Sequence, residues 1–250
     1  MRRRSIVILV VLVAVPILLV GTAYLVLQNV GLSMFAPSRD FFYPPAPKMP
    51  APVATSVEDL LARYEKILAS GAPKVLAALQ PGLSDAQIDE LEAKHAFKLT
   101  PDLRALYRWR NGTPRNVALD AFPDHAFVPL EDAIAERDAV VQQVKAQSKA
   151  QQATYAAYAG HRDPWLGLIV DGAGDGHFYD PQRTEAQGSF FFSFAEDASF
   201  TFYPAFRNYL AGVIDGYDQS VFGFGAQGAE TVDFEKAQTL WDRYGAANEQ

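Results

Sequence analysis

The chain has 250 residues, 49% of them hydrophobic and 20% charged, so most of it has the apolar content to bury a core and only local segments could be disordered. It has no cysteine, which excludes disulfides, thiolate nucleophiles, zinc ribbons and cysteine-ligated iron-sulfur clusters. The formal charge of −7 hides a segregation: without Arg2, Arg3 and Arg4, 19 basic residues face 29 acidic ones, a net of −10 that argues against nucleic acid as a partner.

Residues 1–4 form a basic N-terminus, and Ser5 to Leu27 is an uncharged run rich in Val, Leu, Ile and Ala. As a helix this run spans about 35 Å, enough to cross a bilayer, and its Pro16 and Gly21 are tolerated in membrane helices. The run is longer than the apolar core of a signal peptide, and no A-x-A-like site follows it, so the reading is one uncleaved transmembrane helix. Arg2, Arg3 and Arg4 outweigh Arg39 and Lys48 beyond it. The expected topology is therefore single-pass in the cytoplasmic (inner) membrane, with the N-terminus inside and the main domain outside the cytoplasm. Residues 28–54 carry Pro37, Pro44, Pro45, Pro47, Pro50 and Pro52 and read as a stiff tether, about 50 Å from Pro37 to Pro52 if wholly polyproline II. Phe41, Phe42 and Tyr43 fit either an interfacial belt or a cluster packed on the folded domain.

Residues 55–217 read as one folded domain. Ser56 caps a helix with Leu60, Leu61, Tyr64, Ile67 and Leu68 on one face and Gly71 at its end, and Pro73 to Leu79 adds a short turn. Ser84 and Gln87 make a capping box ahead of Ile88, Leu91 and His95. Thr100-Pro101 opens a third helix that Asn111-Gly112 ends. Phe127-Val128-Pro129-Leu130 leads into a fourth through Ile134, Arg137, Val141 and Val144.

After Pro164 the period changes. Trp165 to Val170, His177 to Tyr179, Ser189 to Phe194 and Ser199 to Tyr203 read as an antiparallel meander, and Pro204 opens a helix carrying Phe206, Tyr209, Leu210, Val213 and Ile214. Residues 218–250 read as an extension with a helix at about 233–244 bearing Ala237, Leu240, Trp241 and Tyr244. Helices first and strands later predict α+β, with helices packed on an antiparallel sheet.

Chemical motifs do not emerge. Asp171-Gly-Ala-Gly-Asp-Gly176-His-Phe-Tyr-Asp180 lacks the ending of a phosphate loop, the spacing of a dinucleotide fingerprint and the ligand pattern of a calcium loop. Its turn chemistry is that of a glycine-rich hairpin. His95, His125, His161 and His177 lack metal-ligand spacing, and Ser189 is not in a nucleophile elbow. Glu131, Asp132 and Glu136 decorate a helix exterior without specifying an acid/base pair, and Phe190, Phe191, Phe192 and Phe194 suit a sheet core. No catalytic residue, metal site or cofactor is expected.

The stretch Gly82-Leu83-Ser84-Asp85 through Ile88 and Leu91, then Lys98-Leu99-Thr100-Pro101-Asp102-Leu103, Leu106-Tyr107-Arg108-Trp109 and Asn111-Gly112, resembles the opening of the SUKH superfamily. Phe127 to Ala133 is similar to its next segment, and Trp165 through Asp171 to Gly176 to its first core strand and hairpin. The resemblance covers about Val57 to Gly216, with a shortened stretch at Phe178-Tyr179-Asp180-Pro181. It implies a single non-enzymatic, protein-binding domain with no catalytic residues to carry over. Fungal members act as cell-wall-assembly regulators associated with killer-toxin resistance, and many bacterial members as immunity proteins against polymorphic toxins. The expected function is a membrane-tethered binding module that neutralises a cognate toxin, with an envelope-assembly scaffold as the alternative. The acidic body complements a basic toxin, and Asp171, Asp175 and Glu131 are the expected partner contacts.

Overall fold

The computed structural model describes residues 46–146, 165–194 and 199–248. The expected membrane span at 5–27, its flanking Arg2, Arg3 and Arg4, and most of the tether lie outside them. Among the described residues, no helix is long and apolar enough to cross a membrane. The chain divides into two compact units, 44–143 with 162–250 and 1–43 with 144–161, and nearly all of the second lies outside the described residues.

Local signals set the first four helices. In α1 (Val57–Gly71) the Ser56 side chain accepts from the Asp59 amide, and Val57, Leu60, Leu61, Tyr64 and Leu68 are buried, as three- and four-residue spacing requires of one face. The short α2 (Pro73–Ala78) follows. The reciprocal box between Ser84 and Gln87 opens α3 (Asp85–His95), and Thr100 opens α4 (Pro101–Trp109) with Pro101 in its first turn. Gly112 then turns the chain at a φ of +69°, where a Cβ would meet the Pro129 nitrogen at 2.5 Å. Only glycine suits both conditions.

The main sheet is antiparallel. Its strands are β1 (Ala126–Phe127), β2 (Leu166–Val170), β3 (Gly176–Tyr179), β4 (Phe190–Ser193), β5 (Phe200–Tyr203) and β8 (Ala246–Ala247), standing in that order. Phe127, expected on the approach to a helix, pairs with Ile169 at the sheet edge, and α5 (Leu130–Ala146) begins three residues later. Strand alternation divides the aromatic residues between two faces. His177, Tyr179, Phe190, Phe192 and Tyr203 share one face by register, while Phe178, Phe191, Phe200 and Phe202 share the other. On that second face Trp165 meets Phe191 edge-on at 4.7 Å between ring centroids.

The first face packs on α6 (Phe206–Asp218), which is buried along most of its length and touches α1, α4 and α7 (Phe234–Tyr244). Burying each large apolar side chain here contributes about 1.5–3 kcal/mol. The Asn208 side chain donates to the Ala51 carbonyl and accepts from the Val53 amide, so α6 also holds the end of the proline-rich stretch. Residues 218–248 add a hairpin of β6 (Phe222–Phe224) and β7 (Ala229–Thr231), then α7, then β8. A Cβ at Gly216 would lie 2.2 Å from the Phe222 ring, so the hairpin's approach to α6 depends on that glycine.

Candidate functional site

A pocket of about 390 Å³ opens between the first face of the sheet, the loop around His125, and α7. The sheet supplies the floor through His177, Phe192 and Tyr203, and α6 adds Tyr209. Thr231, Phe234, Ala237, Gln238 and Trp241 make one wall, and Asp124, Asp171 and Asp175 also line the pocket.

Each acidic group is held by local backbone chemistry. Asp171 Oδ1 accepts from the amides of Ala173, Gly174 and Asp175 at 2.7–2.9 Å, while its own amide donates to the Asp175 carbonyl at 3.0 Å. The glycine-rich stretch is therefore a β2–β3 hairpin, the arrangement that Asp and Gly turn chemistry favours. Asp124 sits in the left-handed region at a φ of +60°, which Asp tolerates better than most residues. Its amide donates to the Ala229 carbonyl, and its carboxylate accepts from the Thr231 amide at 3.1 Å. The loop around His125 is thereby stitched to β7.

His177 is the anomaly. It is 3% exposed, and neither ring nitrogen has a hydrogen-bond partner among the described residues. Its ring lies 4.0 Å from that of Tyr209, 4.9 Å from Phe192 and 5.8 Å from His125, centroid to centroid. Burial, and then His125, hold its pKa well below the usual histidine value, so the ring is neutral at pH 7. His125 Nδ1 lies 2.7 Å from the Pro123 carbonyl, which can only accept, so Nδ1 carries the proton. In the neutral ring Nε2 is then a lone-pair acceptor, and this buried atom also lacks a partner. Burial raises the Asp120 carboxyl, which His125 lowers and Asp124 and Asp171 raise further.

The three residues expected to contact a partner do not all meet. Asp171 and Asp175 lie together on the pocket. Glu131 lies apart, in the first turn of α5, accepting from Asn111 Nδ2 at 2.8 Å while Asn111 Oδ1 accepts from the Leu130 amide at 2.9 Å. Sequence spacing missed the pairing of His125 with His177, because the sheet brings together residues 52 positions apart. Among the described residues, no group of three or more His, Asp or Glu side chains is arranged to hold a metal.

Residues 82–212, just over half of the chain, match the SMI1 / KNR4 family (SUKH-1). The chain belongs to this family. No curated protein matches it. The pocket straddles the SUKH-1 boundary: His125, Asp171, His177 and Tyr209 lie within the matched residues, while Thr231 to Trp241 lie beyond them.

Proposed function

We propose that this SUKH-1 chain is a non-enzymatic protein-binding module, tethered to the membrane by residues 5–27, that captures and neutralises a cognate toxin. The observation that carries the reading is the surface around the pocket. Phe194 and Phe234 line it yet are 43% and 73% exposed. Large apolar side chains grouped at a concave site are typical of protein interfaces. Asp124, Asp171 and Asp175 add negative charge, and the chain beyond Arg4 carries a net −10, which accelerates encounter with a basic partner. Among the described residues, no nucleophile, base and orienting group are brought together at the pocket.

The test is protection. Cells with the chain should survive production of a toxin encoded beside it, and the purified toxin should retain the full chain on a column. Equal survival without the chain would overturn the reading. The Ser5 to Leu27 run and the proline-rich tether favour a second reading, an envelope-assembly scaffold with a wall-synthesis protein as partner. Altered wall sensitivity on deletion, with those enzymes co-purifying, supports it; a normal envelope without them counts against it.

A further inference from the structure

The binding-module reading leaves open what the pocket recognises, and the chemistry of its lining narrows the answer. Three aspartates line it, with no lysine or arginine among the described lining residues. Unlike Asp124 and Asp171, other carboxylates pair with cations among the described residues: Arg104 with Asp85, Asp89 and Glu92, Arg110 with Glu65, Arg115 with Asp132 and Arg243 with Asp215. Asp124 and Asp171 accept only backbone amides among the described residues. In its neutral form His125 presents the Nε2 lone pair, and buried, neutral His177 adds one acceptor nitrogen, neither of its ring nitrogens having a partner among the described residues. The remaining surfaces are mostly aromatic. A ligand that serves the carboxylates and the imidazole lone pairs is cationic, carries several N–H donors and has a flat face to stack on rings.

We propose that the pocket receives an arginine side chain presented by the protein partner. A guanidinium has five donors in one plane, enough to serve separate acceptors, and it stacks on aromatic faces where a lysine ammonium offers a single compact charge. Arginine is also enriched among the residues that dominate interface energetics. The wall built from Thr231 to Trp241 lies outside the family match. The proposal rests on the protein-binding reading, but its test can fail separately.

The probe is N-acetyl-arginine amide, titrated into the full chain in non-ionic detergent while the imidazole resonances of His125 and His177 are followed by NMR. Saturable shifts of both rings are expected, with affinity at least tenfold weaker for the uncharged citrulline analogue and weaker for the lysine analogue. The double variant D124N/D171N keeps the carbonyl acceptors for the backbone amides and should lower arginine affinity at least tenfold. F234A, at an exposed position, provides a second variant that should weaken binding without a folding defect. Unmoved histidine signals, equal citrulline binding, or tighter lysine binding would overturn the assignment. If partner capture survives D124N/D171N undiminished, the arginine pocket is wrong and the module reading stands. Arginine binding without any captured partner has the reverse meaning.

Discussion

The junction of α3, α4 and α6 and the pocket beneath α7 both bury polar side chains, and they treat them oppositely. At the junction, buried Glu92 accepts from Lys98 Nζ at 2.6 Å, Arg104 at 3.1 Å and the Leu99 amide at 3.0 Å. Buried Asp102 is held by the Arg207 guanidinium, with Nε at 2.8 Å, and by the Arg207 amide. At the pocket, His177 is as deeply buried and has no hydrogen-bond partner among the described residues. Leaving a buried polar group unpaired costs about 1–3 kcal/mol. The difference separates groups that hold the fold together from groups that a fold does not need.

The largest effect should come from breaking the saturated side. Arg207→Ala leaves the Asp102 carboxylate buried without its cation, which should cost about 3–5 kcal/mol of stability in urea unfolding. A loss under 1 kcal/mol would erase the distinction. On the other side, His177→Phe replaces a ring with unmet hydrogen bonds by one that suits its aromatic neighbours. It should leave the protein as stable or more stable by about 1–2 kcal/mol, consistent with the cost of an unsatisfied group. Strong destabilisation would mean that His177 serves the fold.

Acid should sharpen the same contrast. The folded pKa of His177 lies below its unfolded value, so the unfolded chain binds the proton more readily. The associated stability is present above about pH 6.5 and drains as pH falls toward the folded pKa, at up to about 1.4 kcal/mol per pH unit. The wild type should therefore lose more stability than H177F between pH 7 and pH 5. Parallel curves would show that the ring is not held neutral. The smallest effect on stability is expected for D124N/D171N, within about 0.5 kcal/mol, because each amide retains a carbonyl for its backbone donors.

Local signals account for what the sequence revealed. Ser56, Ser84 with Gln87, and Thr100-Pro101 announce their helices because a cap satisfies orphan amides within one turn. The aliphatic β2 and the aromatic β3, β4 and β5 announce themselves by composition, and Asp171 to Gly176 by turn chemistry. What stayed hidden is short or distant in sequence. β1 and β8 have two residues each, too few for a period, and β6 and β7 have three. Asp171 and Asp175 were legible as a pair because one turn holds both. Asp124, His125 and His177 were not legible as a site: they meet only after the sheet forms and the loop around His125 is stitched to β7. Glu131, exposed in the first turn of α5, accepts a hydrogen bond from Asn111 at the helix entry and lies apart from Asp171 and Asp175.

The most direct measurement of the central claim is survival under the neighbouring toxin in cells carrying the wild-type chain, the D124N/D171N chain or neither, with both chains confirmed folded and equally abundant. The account predicts protection by the wild type and its loss in the variant. Survival that is the same with and without the chain would contradict it.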